Sequence, residues 1–531
     1  MTEQIATDDE NYQTDHEVGE HNVQIFGLDV HNPVFAVSAS AIVIFVVYTL
    51  LFPQQAAEQF GTMRPWVTEN LDWFFMYSAN FFLLFVIIIA LSPMGSIRLG
   101  GPDATPKYSI LSWVAMLFAA GIGIGIMFYA VLEPMNHFLA PPYGLEYQTD
   151  QRARELAMAA TLYHWAFHPW AVYAVVGLAL AFFCYNKGLP LLIRSAFYPL
   201  LGERIWGWPG HIIDILAVIA TMFGLATSLG YGAEQSAGGL NYLFDIPGGA
   251  SLNVIIVVLI TCAALVSVLR GLDGGIKKLS EFNMLLALAL CLFVLAVGPT
   301  IESLKNVFHF SVAYVTELPA LSSWAGRDDG YYMHNWTTFY WSWWIAFSPF
   351  VGMFIARIST GRTVRQFIIG TLLAPSAIFT VWMTVFGNFA MDQYLIDGYN
   401  GVVDTVNNWQ PEISLFAFLR ELPFSNVTSA IGIILVLVFF TTSMDSGSLI
   451  MDTMTAGGKI ETPTPQRIFW CVFLGLLGIA LLLGGGLASL QALALTTGLP
   501  FCAIMVVMCF SITKGLWAEH QQITQASNSP A

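Results

Sequence analysis

Residues 118–134 read FAAGIGIGIMFYAVLEP, and the reading of this stretch decides the fold. It lies in an apolar run, 109–131, long enough to cross a bilayer, yet Gly121, Gly123 and Gly125 fall at every second position. Glycine costs about 1 kcal/mol relative to alanine inside a helix, so three of them favour a weakened or unwound segment. At membrane depth, irregular backbone is tolerated only where protein buries it or where it lines a watery cavity. A broken membrane helix therefore points to a transporter's substrate and ion site. Small residues at this spacing also serve close helix packing. The stretch alone does not choose between the two.

The rest of the chain sets the context. Of its 531 residues 56% are hydrophobic and 10% charged, and mean hydropathy is +0.65, whereas soluble domains carry about 25% charged residues. This is an all-α polytopic membrane protein. The net charge of −15 resides largely in tails and loops, and the absence of a basic face argues against nucleic acid. The six cysteines stand in apolar runs without metal-ligand spacing and read as small buried hydrophobes. The polar, acidic tail, 1–31, lacks the pattern of a cleavable signal and reads as disordered and solvated.

Apolar runs of about twenty residues predict twelve spans: 34–52, 72–93, 109–131, 155–184, 209–231, 252–270, 280–299, 336–358, 366–389, 428–455, 467–486 and 490–512. With both termini inside, fourteen Lys and Arg fall in cytoplasmic loops and six outside, as the positive-inside rule requires. The transporter domain is expected over 32–517, with two peripheral helices in 34–93, five-helix blocks in 109–299 and 336–512, and a short tail, 518–531. Between the blocks, 300–335 mixes apolar and polar residues and suits an amphipathic surface helix.

Three constellations carry chemistry. Span four contains TLYHWAFHPWAVY, 161–173, and span eight contains WTTFYWSWWIAFSPF, 336–350. Trp170 and Tyr173 share a helix face, as do Trp344 and Phe347. Such faces form either an interfacial aromatic belt or a cage for a desolvated cation, worth roughly 0.5–2 kcal/mol per ring. The density of Trp341, Trp343 and Trp344 beside Pro349 favours the cage. His164 and His168 have metal-binding spacing, but Trp165 stands where a general base would follow, so they read as packed or hydrogen-bonded. Span ten holds FFTTSMDSGSLIMD, 439–452, whose Thr441, Thr442, Ser443, Asp445 and Ser446 offer the oxygen ligands that hard cations prefer. Asp445 is either functional or the cap of a helix break. Beside a glycine-broken span three, a sodium site is the better reading. No Walker A pattern supplies an ATP-driven engine.

In order along the chain, GIGIGIMFYAVLEP, WAFHPWAVY, TMFGLATSLG, WSWWIAFSPFVGMFIARISTGRT and TTSMDSGS resemble the betaine/choline/carnitine transporter (BCCT) family, over all twelve spans from Asn32 to Trp517. The resemblance implies a leucine-transporter (LeuT) type fold: two extra helices, then inverted five-helix repeats, in a homotrimer in the bacterial inner membrane. It implies an onium cage of Trp165, Trp170, Tyr173 and Trp344. Phe347 stands where many betaine carriers have a further Trp, and Gly121, Gly123 and Gly125 lie beside the substrate. Sodium would be held by carbonyls of Ala119, Ile122 and Phe439 with the hydroxyls of Thr442 and Ser443. Thr221 resembles a ligand of a second sodium site, although Leu225 replaces its expected hydroxyl neighbour.

In this family choline carriers tend to have Asp where Gly125 stands, so glycine suits a zwitterion that brings its own carboxylate, satisfied by amides of the broken helix. The expectation is sodium-coupled import of glycine betaine or dimethylsulfoniopropionate (DMSP), ahead of carnitine and then choline, with sodium the coupling ion and no cofactor. A choline or carnitine carrier or exchanger of the same family, or a non-transporting sensor, is the alternative. A membrane enzyme is disfavoured because no nucleophile–base signature joins the histidines to Asp445. The short tail without Lys or Arg suggests nutritional or constitutive uptake rather than stringent osmosensing.

Overall fold

A computed structural model describes residues 12, 14–121, 123–144, 149–270, 277–327 and 329–528. The protein is an all-α polytopic membrane protein with one small hairpin before its first helix. Its longer helices are α1 (Asn32–Leu51), α2 (Pro53–Leu91), α3 (Ile110–Gly121), α4 (Ile124–Leu139), α5 (Asp150–Trp165), α6 (Phe167–Ala181), α7 (Trp208–Phe244) and α8 (Ala250–Arg270). They continue as α9 (Lys277–Val297), α10 (Thr300–Leu321), α11 (Thr338–Ile358), α12 (Val364–Met383), α13 (Ser425–Thr455), α14 (Thr464–Leu483) and α15 (Leu487–Asn528).

Among the described residues, eleven helices are long and apolar enough to cross a membrane. Span three is not one of them, because it is two pieces: α3 has 12 residues and α4 has 16. Between them Gly123 adopts extended backbone, φ −130° and ψ −171°. The glycine stretch is a break in the helix.

Span four counts among the eleven as the continuous stretch Asp150–Asn186, yet it also bends, which hydropathy did not reveal. Ala166, at φ −98° and ψ −115°, separates α5 from α6. Pro169 explains it: a helix continued through this point would need a Pro169 N–H for the Trp165 carbonyl, and the proline ring would strike that carbonyl. Other helices run far past their expected limits; α2 has 39 residues and α7 has 37. Hydropathy marks where apolar surface ends, whereas the backbone ladder continues into water wherever nothing breaks it.

Helices α6, α7, α11, α13 and α15 form the centre, with α1, α2, α8 and α14 packed around them. Helices α6 and α11 approach closely where Gly177 meets Gly352: a methyl group on Gly177 would lie 3.2 Å from the Gly352 carbonyl oxygen. Small residues permit this crossing, which sets the aromatic faces of the two helices against each other. Helix α10 buries Phe310 and Tyr314 beside α5 and exposes a stripe of Ile301, Phe308, Val312 and Val315.

The N-terminal segment differs from the solvated tail expected. Residues 14–31 are ordered, and β1 (Asn22–Ile25) pairs antiparallel with β2 (Leu28–His31). Phe26 and Gly27 both have positive φ, the geometry of a tight two-residue hairpin turn. Asp29 fastens the hairpin to the membrane domain: its carboxylate meets Lys459 at 2.6 Å and its amide donates to Gln466 at 3.0 Å. Of the cysteines, Cys262 is exposed on α8 rather than buried.

Candidate functional site

One large cavity, about 780 Å3, gathers most of the candidate residues. Gly123, Gly125, Trp165, Trp170, Tyr173, Trp344, Phe347, Phe439, Thr442 and Ser443 all line it. The broken span three therefore faces α5, α6, α11 and α13 across a shared space.

Five aromatic rings close into a circuit on its wall. Trp165 meets Trp344 at 5.1 Å between centroids, Trp344 meets Tyr173 at 6.2 Å, and Tyr173 meets Trp170 at 5.5 Å. Phe379 of α12 completes the circuit, 6.2 Å from Trp170 and 5.5 Å from Trp165. Neighbouring rings are thus 5.1–6.2 Å apart around the circuit, a spacing comparable to the roughly 6 Å reach of a cation–π contact. Phe347 lines the cavity outside this circuit and packs on Phe350 at 5.1 Å. Phe379 was invisible in the sequence, one of 40 phenylalanines with nothing to mark it.

The polar edges of two of the three circuit tryptophans, Trp344 and Trp165, are occupied, which leaves their faces open to the cavity. Trp344 Nε1 donates to the His164 carbonyl at 3.0 Å. That carbonyl is available because the helical ladder stops at Ala166, whose N–H bonds Leu162. Trp165 Nε1 donates to Glu133 Oε2 at 2.7 Å. Gly125 is essential to this arrangement, since a methyl group there would lie 2.3 Å from Trp165 Cη2.

At one end the cavity is lined by Tyr108 and Ser112 of the α3 entry, Ser280 and Glu281 of α9, and Phe354 of α11. Ser112 and Glu281 are exposed, so the space reaches the surface on the side carrying Lys107, Lys278 and Arg357. Beyond the circuit of rings the opposite side is closed by packed aromatics. Tyr129 packs on Tyr231, Trp336 and Tyr340 at 5.8, 6.0 and 5.4 Å, and all four rings are buried.

The cation-ligand candidates fare differently. Phe439, Thr442 and Ser443 stand on the cavity wall, with the Thr442 hydroxyl bonded back to the carbonyls of Val438 and Phe439 at 3.1 and 3.0 Å. Ile122 lies outside the described residues, as does the side chain of Ala119; α3 ends at Gly121. Thr221 is fully buried, off the cavity wall, and bonds the Ala217 carbonyl at 2.7 Å. Asp445 turns away from the cavity and pairs with Arg467 of α14 at 3.0 Å.

Further residues emerge that the sequence reading passed over. Ser228 and Asn283 line the cavity, and the buried Asn283 amide has no hydrogen-bond partner among the described residues. Glu133 is completely buried. A carboxylate inside an apolar span was the signal for it. Glu133, His137 and His164 bring ligand-type atoms within 4.8 Å of one another. Both Glu133 oxygens and both His164 nitrogens are engaged in hydrogen bonds, so the cluster is a polar network. His168 bonds elsewhere, to Asn80 at 3.0 Å, so the two span-four histidines do not converge.

Residues 33–521 match the model of the BCCT, betaine/carnitine/choline family transporters. The chain belongs to the BCCT family. It is 53% identical to a glycine betaine/proline/choline transporter of Vibrio parahaemolyticus, over 97% of this chain and 96% of that one. A glycine betaine transporter of the same organism is 48% identical, over 96% of this chain and 98% of its own length. A high-affinity choline transport protein of Escherichia coli is 40% identical, over 95% of this chain and 75% of its length. This BCCT protein is thus a multi-pass membrane transporter and not an enzyme.

Proposed function

We propose that the protein imports a zwitterionic quaternary ammonium or tertiary sulfonium compound, glycine betaine or DMSP, by sodium symport with alternating access. The observation that carries this reading is the closed circuit of Trp165, Trp344, Tyr173, Trp170 and Phe379 on the cavity wall. An onium group has no hydrogen-bond donors of its own and gains chiefly from stacked π faces.

The zwitterion follows from the charges. Among the described lining residues only Glu281 is charged, and it stands at the cavity mouth rather than beside the cage. A bare cation would sit there uncompensated, whereas a zwitterion brings its own anion. The relatives named above carry betaine, proline and choline in their names, and a further Vibrio relative, 47% identical, adds ectoine. Choline ranks behind the zwitterions because, among the described lining residues, no carboxylate faces the circuit: Glu281 is at the mouth, and Glu133 stands behind Trp165 with its oxygens engaged by protein donors.

Sodium coupling is supported by the retained Thr442 and Ser443 hydroxyls beside the break in span three. Counting α3 and α4 as one discontinuous crossing gives twelve spans, in keeping with two LeuT-type inverted repeats after two extra helices. The Lys- and Arg-bearing side is then cytoplasmic, both termini are inside, and the cavity describes an inward-facing state in a bacterial inner membrane. The exposed apolar stripe of α10 suits contact with lipid or with neighbouring subunits of a trimer.

The test is labelled-substrate uptake into proteoliposomes under an imposed sodium gradient, with glycine betaine, DMSP, carnitine and choline in competition. Sodium-dependent accumulation inhibited first by betaine or DMSP supports the reading. Robust choline uptake without either zwitterion overturns it.

A further inference from the structure

We infer that Glu133 is a positioning residue for substrate recognition: it holds Trp165, one wall of the aromatic circuit, in place. The inference rests on the proposal that this circuit is the onium site.

Glu133 lies on α4, a little over two turns beyond Gly125, the last glycine of the break, and is wholly enclosed. Its Oε2 accepts from Trp165 Nε1 at 2.7 Å and from the Tyr340 hydroxyl at 2.5 Å. Its Oε1 accepts from His164 Nδ1 at 2.6 Å and from His137 Nε2 at 3.3 Å. Four donors converge on one group, the pattern of a carboxylate, which only accepts. His164 completes the pattern: with Nδ1–H donated to Glu133, its Nε2 accepts from the Thr337 hydroxyl at 3.0 Å.

Trp165 needs such an anchor. It is the last residue of α5, and the backbone breaks immediately after it at Ala166. Its carbonyl loses the helical donor that Pro169 cannot provide. On the other side Gly125 offers no side chain to wedge the ring. The one hydrogen bond fixing the indole is that to Glu133. An orphaned indole N–H in this enclosed site would carry a desolvation cost, so loss of the acceptor turns the ring away from its place in the circuit.

Tyr340 gives the anchor a second end, because its ring also packs on Tyr129 in the outer seal at 5.4 Å. One carboxylate thus joins the cage wall to the closed side of the pathway.

Purified full-length protein titrated with glycine betaine, read by intrinsic fluorescence, tests this in a double-mutant cycle. Glu133→Gln weakens betaine binding about ten- to a hundred-fold, the range for a hydrogen bond to a charged group. In a Trp165→Phe background, which has no indole N–H to hold, the same substitution changes affinity by less than about two-fold. Tyr340→Phe, a milder variant that keeps the ring packing, shifts affinity in the same direction by a smaller factor.

Equal losses in both backgrounds overturn the inference, because Glu133 would then act independently of Trp165. Unchanged affinity in both Glu133→Gln and Glu133→Leu, which leaves no acceptor for the indole at all, overturns it too. Trp170→Ala, run in parallel, separates this from failure of the underlying proposal. If Trp170→Ala weakens binding while neither Glu133 variant does, the onium site stands and the anchor falls. If none of the three does, the circuit is not the betaine site.

Discussion

Gly125 and Trp165 touch so closely that a methyl group on the glycine would lie 2.3 Å from the indole Cη2. The absent side chain of one residue is the space filled by the other. Sequence alone assigned Gly125 to substrate choice through the residue found there in choline carriers. The structure adds a steric reason: any side chain must first displace a cage wall.

Gly125→Ala is accordingly expected to weaken glycine betaine binding by at least about ten-fold, as a buried aromatic is pushed off its packing. Uptake kinetics with labelled betaine read this as a raised KM. An unchanged KM would show that Trp165 steps aside freely.

The closed circuit makes a prediction that separates its members from their neighbour. Trp170→Ala, Trp344→Ala and Phe379→Ala each remove a ring from the circuit and are expected to cost about ten- to a hundred-fold in affinity, given roughly 0.5–2 kcal/mol per desolvated ring plus lost packing. Phe347→Ala, outside the circuit, costs less. Equal effects for Phe347 and Phe379 in a binding titration would contradict the geometry.

Thr442→Ala combined with Ser443→Ala is expected to raise the sodium concentration for half-maximal uptake several-fold, while substrate affinity at saturating sodium changes little. The Thr442 hydroxyl already bonds its own helix, so the fold should survive its loss. Uptake measured against sodium concentration decides. An unaltered sodium curve would restrict these hydroxyls to that local bonding.

The docked hairpin predicts a pH effect on the face that carries the N-terminal segment. Burial, and then the Arg194 guanidinium, push the His31 imidazole down to about 3, and His211, His21 and His16 act in the same direction. A free histidine titrates near 6.5. Docking therefore holds the neutral form: its contribution is complete above about 6.5 and is lost as pH falls from there toward the folded value. Amide exchange over 22–31, corrected for intrinsic rates, should accelerate between pH 7.5 and pH 5.5. His31→Gln should flatten that dependence; an equally steep profile in the variant would assign it elsewhere.

Much of this architecture was legible because a bilayer imposes simple rules. Uninterrupted apolar runs must be helices, and the lysines and arginines orient them. The glycines at 121, 123 and 125 announced a break, and the aromatic density of spans four and eight announced a cluster of rings, because these are local properties of residue type and spacing. The break at Ala166 was legible in principle from Pro169, yet hydropathy averaged it away.

What the tertiary structure decided are the pairings between distant segments. Phe379 closes the circuit only because α12 packs on α6, and no local pattern distinguishes it from other phenylalanines. Asp445 read from sequence as either functional or the cap of a helix break, and it is α14 that supplies its partner, Arg467. Glu133 stood in the opening stretch from the start, but its meaning depends on donors from α5 and α11 arriving at the same two oxygens. Composition and periodicity report how each segment meets solvent or lipid. Which side chains share a buried space is set by the crossing of helices, and that information is not local.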